Sequence, residues 1–316
     1  MKQRWAGWLT ALLVLGALVL VVRVFRQLSL ADAIESVHRL TVHDIALTAL
    51  CAAGSYLCLT GFDYLGVRYA GHRLPYRQVA LTSFVSLSIG HTIGLSPLSS
   101  GAVRYRFYTQ RGLDAVAVAK VIAFSALTVA LGELSLAAVA LIGNPSTAAR
   151  ILDIAPATAR LLGAGCLGAV AVYVLATIVL RRAVRIGGVA VGLPSWRLAL
   201  GQIVVGAANY ALVAAALTCS IAPAGHIGYA SVATAYIIAN LAALVSHVPG
   251  GLGVIEAVVV TLFPGVGVIG GLVAFRVIYF FIPFALGTLI FSAIELQSWM
   301  RRRGRLATRP ATDSAG

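Results

Sequence analysis

The sequence predicts an all-α polytopic membrane protein with about six full spans and two central re-entrant hairpins, arranged as an inverted-topology repeat. Three observations carry this expectation. Of 316 residues, 60% are hydrophobic and only 11% charged, with a mean hydropathy of +0.94, whereas water-soluble domains carry about a quarter charged residues. Apolar runs of bilayer length follow one another along the whole chain. The basic residues are gathered into short clusters between those runs, where they orient a protein in a membrane.

This composition excludes a cytosolic enzyme, a secreted disulfide scaffold and a DNA-binding module. The net charge of +14 would suit nucleic acid only if it lined one surface, and its placement between spans argues for membrane orientation instead. No nucleic-acid partner is expected; the membrane itself is. Cys51, Cys58, Cys166 and Cys219 all fall inside apolar runs without a C-x-x-C pair, which suits small core residues and not a redox or metal site. No metal or cofactor is expected.

Taken in order, the runs lie at 5–25, 44–66, 79–96, 115–142, 160–180, 198–221, 229–248 and 268–299, with a shorter one at 252–263. Lys2 and Arg4 precede the first, which is longer than the apolar segment of a signal peptide and reads as an uncleaved span. Arg68, Arg73 and Arg77 follow the second. Arg181, Arg182, Arg185 and Arg197 share the segment before 198–221, and Arg301, Arg302, Arg303, Arg305 and Arg309 form the tail. The segment near 143–158 balances Arg150 against Asp153, and 222–228 has no formal charge.

The positive-inside rule places the basic segments and both termini in the cytoplasm. Counting every run as a crossing breaks that rule. It is restored if 79–112 enters from the cytoplasmic side and returns, and if 229–265 does the same from the outer side. Non-helical backbone at membrane depth must be buried in protein or line a cavity, so both hairpins are expected to be central. Pro97-Leu98-Ser99-Ser100-Gly101-Ala102-Val103-Arg104 and Pro249-Gly250-Gly251-Leu252-Gly253-Val254-Ile255-Glu256 share the pattern P-x-x-x-G-x-x-charge, one at each tip. The expected organisation is one integral domain over 1–300, with halves at about 1–142 and 160–299, then a basic, disordered cytoplasmic tail over 301–316.

The hairpins carry the candidate site. A helix opening at Pro97 within the membrane presents free N–H groups that suit a phosphate. Arg104 adds a bidentate fork of donors, Arg106 is a second candidate, and Arg111 reads as a surface charge. In the second hairpin, Gly250, Gly251 and Gly253 allow close backbone approach. Glu256, beside them in an apolar stretch, needs a partner, either Arg104 across the pseudo-symmetry axis or Arg276. Glu133 and Arg276 sit mid-run and should face the interior, while Pro283 should kink the last span. His91 and His247 could titrate near neutral pH. Asp63 and Glu295 lie near run ends and read as interfacial.

These residues resemble a known family. His91-Thr92-Ile93-Gly94, Gly101-Ala102-Val103-Arg104-Tyr105-Arg106, Lys120-Val121-Ile122-Ala123-Phe124, Ser246-His247-Val248-Pro249-Gly250-Gly251-Leu252-Gly253-Val254 with Glu256, and Arg276-Val277-Ile278-Tyr279 with Pro283 run in the order found in the lysyl-phosphatidylglycerol synthase/flippase (multiple peptide resistance factor) family. The resemblance implies a flippase domain that moves phosphatidylglycerol or its aminoacyl ester to the outer leaflet of a bacterial inner membrane and repels cationic antimicrobial peptides. It assigns substrate contact to Arg104, Arg106, His247, Glu256 and Arg276. Bifunctional members continue into a soluble aminoacyltransferase, whereas this sequence ends at Gly316, so the expected partners are an anionic phospholipid, a separate synthase and a second copy of the chain. Glu133 stands where an uncharged residue is expected. The competing expectations are a scaffold for a separate aminoacyltransferase, a small-solute transporter and, from Ser96 with His247, an intramembrane hydrolase.

Overall fold

A computed structural model describes residues 40–307 apart from 94–95, 181–183, 187–188, 226, 246–250 and 265. The expected first span, and His247, Pro249 and Gly250 of the expected site, lie outside the described residues.

The chain is a polytopic α-helical membrane protein. Helix α1 (Val42–Tyr69) starts at a capping box, in which the Thr41 hydroxyl accepts from the Asp44 N–H and the Asp44 carboxylate accepts from the Thr41 N–H. Two shorter helices follow, α2 (Tyr76–Ile93) and α3 (Ser96–Thr109). Asp114 then caps α4 (Ala115–Gly143), accepting from the Ala117 N–H at 2.7 Å. A short helix α5 (Pro145–Leu152) precedes α6 (Pro156–Val179), and α7 spans Trp196–Ile221. The second short pair is α8 (Tyr229–Val245) and α9 (Val254–Leu262). The last apolar run holds α10 (Val266–Arg276), a π turn (Val277–Phe281) and α11 (Ile282–Ala307). Among the described residues, five segments are long and apolar enough to cross a membrane: α1, α4, α6, α7 and the continuous stretch Gly267–Gln297.

Three elements differ from the sequence expectation. The segment expected as a plain loop near 143–158 contains α5, opened by Pro145 in the first turn. The arginine-bearing segment before α7 contains a two-stranded antiparallel ribbon, β1 (Val184–Ile186) with β2 (Val189–Val191). The tail expected to be disordered from 301 is helical to Ala307, because arginine is a good helix former and nothing breaks the turn before Gly304.

Contacts between small residues set the helix directions. Gly54 of α1 faces Leu212 of α7, Gly61 faces Val205, and Gly201 faces Leu65, so α1 and α7 run antiparallel. Gly132 of α4 meets Gly206 of α7 while Thr128 meets Gln202, so these two run in the same direction. Small residues at such crossings let helix backbones approach closely, which is the main route to tight packing in a membrane. The result is a three-helix frame of α1, α4 and α7. It encloses Tyr56, Leu59, Tyr210 and Leu217, and Phe275 and Tyr279 pack into the same core. Helix α6 lies outside, leaving Leu161, Leu167, Val172 and Leu175 exposed, a surface suited to hydrocarbon.

Each short pair starts and finishes at one end of this frame. Val67 of α1, Val79 of α2, Tyr108 of α3 and Val118 of α4 share one cluster, so α2 and α3 leave and return at the same end. In between, Gly90 packs on Ser100, and Val85 and Ile89 share a cluster with Val103 and Phe107, an antiparallel arrangement. The second pair is anchored at the opposite end, where Asn144 donates to Ser231 at 3.2 Å and Gly271 of α10 abuts Ser220 and Ile221. Arg68, Arg73, Arg77, Arg111 and Arg197 lie at the end where the first pair enters, with the ribbon against it through the Tyr69 hydroxyl and Gly192 carbonyl, 2.7 Å apart.

Candidate functional site

Seven carboxylates fall among the described residues, and their partners define the site. Asp44 and Asp114 cap helices, and Asp153 is the left-handed residue that ends α5. The other four sit on or against the two short pairs.

Asp63 is fully buried on α1 and holds Arg104, which is 3% exposed on α3. The Arg104 Nε lies 2.9 Å and its Nη2 2.7 Å from the two carboxylate oxygens. Tyr108 Oη and Ser125 Oγ each donate to Asp63 at 2.9 Å, and Arg104 Nη1 donates to Ser100 Oγ at 3.1 Å. A buried bidentate pair with its remaining lone pairs satisfied is the geometry that offsets desolvation. It ties α1, α3 and α4 at one level. Asp63, expected near a span end, is buried between helices. The helix continues to Tyr69, and the arginine opposite pulls the carboxylate inward.

On the second pair, Glu256 meets Arg276, not Arg104. The Arg276 Nε to Glu256 Oε1 distance is 2.6 Å and Nη2 to Oε2 is 3.0 Å. Nη2 also donates to the Gly251 carbonyl at 3.0 Å, and the guanidinium lies 4.7 Å from the centre of the Phe280 ring. Glu256 accepts from the Gly253 N–H at 2.9 Å, closing the first turn of α9. Gly251 and Gly253 have φ of +62° and +82°, a region that favours glycine. These two glycines shape the loop that delivers a carbonyl and an N–H to the ion pair.

Arg106 pairs with Glu295 of α11 through both carboxylate oxygens. This is the accessible pair: the Arg106 side chain is 38% exposed, against 4% for Arg104 and 3% for Arg276. Arg111, expected as a plain surface charge, lies over the Phe107 ring and donates to the Phe107 carbonyl at 2.8 Å. Glu133 of α4 is 5% exposed and accepts from Asn240 Nδ2 of α8 at 3.0 Å. His91 sits in the last turn of α2. Gly101 lets α3 approach Ile122 of α4, and Pro97 lies in the first turn of α3.

Between the two ion pairs runs a neutral polar layer. Ser55 Oγ donates to Asn209 Oδ1 at 2.7 Å and lies 2.9 Å from Tyr279 Oη. A serine has one proton to give, so Tyr279 is the donor in the second bond. Tyr56 Oη donates to the Tyr279 carbonyl at 3.3 Å, the carbonyl four residues before Pro283 that a proline cannot serve. The expected disturbance at Pro283 is thus a π turn, with its loose carbonyl capped from α1. Sequence reasoning missed Asp63, Ser125, Asn209 and Asn240 as partners. An acidic residue inside an apolar run was the available signal for Asp63; the neutral ones had none.

Comparison with known proteins adds a lineage. No family model matches the chain. Over 253 residues it is 32% identical to the uncharacterized protein slr0712 of Synechocystis sp. (strain ATCC 27184 / PCC 6803 / Kazusa), covering 79% of each chain. Over 250 residues it is 30% identical to the inner membrane protein YbhN of Escherichia coli (strain K12), covering 77% of this chain and 78% of that one.

Proposed function

The chain belongs to the family of the Escherichia coli inner membrane protein YbhN, and on that premise we propose that it is a multi-pass inner-membrane lipid transporter. Its cargo is phosphatidylglycerol or the aminoacyl ester of that lipid, carried from the inner to the outer leaflet. The observation that carries this reading is the placement of the two short helix pairs. They enter the frame from opposite ends, and each holds a charged residue in a buried ion pair. In the proposal these pairs are re-entrant, the arginine-rich end is cytoplasmic by the positive-inside rule, and the C-terminal tail lies on that side.

The lipid phosphate first meets Arg106, whose guanidinium is partly exposed and, among the described residues, paired with Glu295 of α11. Arg104 acts behind it as a fixed charge held by Asp63. The amine of an aminoacyl headgroup is received by Glu256, which is more exposed than its partner Arg276. Delivery of cationic lipid lowers the negative charge of the outer leaflet and so weakens binding of cationic antimicrobial peptides. The resemblance of the segment Ser246–Glu256 to lysyl-phosphatidylglycerol flippases supports the choice of lipid.

The test is a proteoliposome containing only this chain, with fluorescent lysyl-phosphatidylglycerol and fluorescent phosphatidylglycerol followed by outer-leaflet quenching. The expected result is faster movement of the aminoacyl lipid, with that preference lost in Glu256→Gln. Movement of neither lipid would overturn the transporter reading and favour a scaffold for a separate aminoacyltransferase.

A further inference from the structure

Of the four buried or half-buried carboxylates on or against the short pairs, three have an arginine. Glu133 has none among the described residues. It sits on α4, ten residues before the helix ends at Gly143, about 15 Å into the structure at 1.5 Å per residue. Among the described residues its hydrogen bond comes from the neutral Asn240. A charged carboxylate at that depth without a cation is unfavourable, and the ordinary resolution is to take up a proton.

Among the described residues, the groups that face it are uncharged. From α7 the neighbour is Tyr210 and from α8 it is Tyr236, with the two rings 6.5 Å apart. Arg276 is bonded to Glu256 and to the Gly251 carbonyl. On α1, Ser55 and Tyr56 are bonded to Asn209 and Tyr279. Helix α6 brings Cys166 and Tyr173 and no charge between Leu161 and Val179, with Tyr173 donating to Gln202. On α3, Arg104 is held by Asp63 eight residues back along α4, at the level of Ser125, and Arg150 of α5 lies beyond the end of α4.

The two sides of the Glu133 contact belong to different parts of the fold. Gly132 is locked against Gly206, where an added Cβ would fall 2.4 Å from a backbone carbon, so Glu133 is fixed to the frame. Asn240 belongs to the second short pair. Ionised Glu133 accepts from the Asn240 amide. Once protonated it still accepts through its carbonyl oxygen, but that bond loses its charge assistance and the new O–H needs an acceptor of its own, so the link between frame and helix pair is weakened.

We infer that Glu133 is a proton-binding site whose loading changes the attachment of α8 to the α4–α7 frame, so that lipid movement is proton-linked. The linkage rests on the transporter reading; the proton site does not. Binding is Glu133–COO⁻ plus H⁺ giving Glu133–COOH, with no other reactant.

Two measurements on the full chain separate these. Infrared difference spectroscopy of purified protein should show a protonated carboxyl C=O band across the neutral range that is absent from Glu133→Gln. The other three acids on or against the short pairs each face an arginine, and comparison with Glu133→Gln separates their signal from that of Glu133. Asn240→Leu, which removes the donor that favours the carboxylate, should carry the band to higher pH. A spectrum without the band, or a band unchanged in Glu133→Gln, would overturn the proton site. In vesicles with fluorescent phosphatidylglycerol, the wild-type rate should change with pH, approaching tenfold per unit where one proton is obligatory, and Glu133→Gln should be flat. An equal pH slope in both would overturn the linkage. A wild type that carries the band yet moves no lipid keeps the site and overturns the transporter reading instead.

Discussion

Gly132 and Gly206 touch backbone to backbone: a Cβ on Gly132 would lie 2.4 Å from the Gly206 carbonyl carbon, and one on Gly206 would lie 2.7 Å from the Thr128 carbonyl oxygen. No side chain can yield at this crossing, so even a methyl group must push α4 from α7. Gly132→Ala is expected to destabilise the protein by about 1–3 kcal/mol, the usual range for overpacking. Thermal unfolding in detergent, compared with Gly165→Ala where nothing lies within 4 Å, would check it; equal melting temperatures would refute the tight crossing.

Arg104 is expected to matter more for folding than for contact with cargo. Removing it leaves the Asp63 carboxylate buried and unpaired, a loss of about 3–5 kcal/mol. Arg104→Met combined with Asp63→Leu should recover much of that, since an apolar pair of similar volume restores packing without the charges. A double variant as unstable as the single one would show that the pair is worth more than its replacement.

Arg106 should behave in the opposite way. Its pair with Glu295 is partly exposed, and such pairs contribute about 0–1 kcal/mol. Arg106→Ala should therefore melt near the wild type while slowing phosphatidylglycerol movement strongly. A variant that keeps the wild-type transport rate would remove Arg106 from the lipid path.

Glu256→Ala should unfasten two things together, the Arg276 guanidinium and the Gly253 N–H. The first turn of α9 then loses its cap, worth about 1 kcal/mol, in addition to the charge left on Arg276. Hydrogen exchange at the amides of Gly253, Val254 and Ile255 should quicken in Glu256→Ala and stay close to wild type in Glu256→Gln. The same protection in both variants would separate the ion pair from the cap.

The helices were legible in the sequence because apolar runs and arginine clusters report span positions directly, and α1, α4, α6 and α7 lie where those runs fall. The burial of Asp63 was not, since a residue's distance from a run end does not show which helix packs against it. Its true partner, Arg104, was visible but was read toward a ligand, because sequence spacing cannot show that α1 passes beside α3. Glu256 left two arginines open, and only the fold chooses Arg276. The neutral partners Asn209, Asn240 and Ser125 carry no pattern at all; they matter because of what stands opposite them.

The π turn at Val277–Phe281 carries one residue more than an α-helical turn would need. Because an α-helix advances about 100° per residue, excising a single residue there would restore regular winding and swing everything on one side of it by more than a quarter of a circle. Arg276 faces Glu256 on one side of the turn, and on the other Gly287 and Phe291 face Ser88 and Phe107. Both sets of contacts can be met at once only while the surplus residue stays in place. The last helix is therefore a pair of separately aimed segments joined by an angular offset, and single-residue deletions along 277–281 should be far less tolerated than substitutions at the exposed Val277.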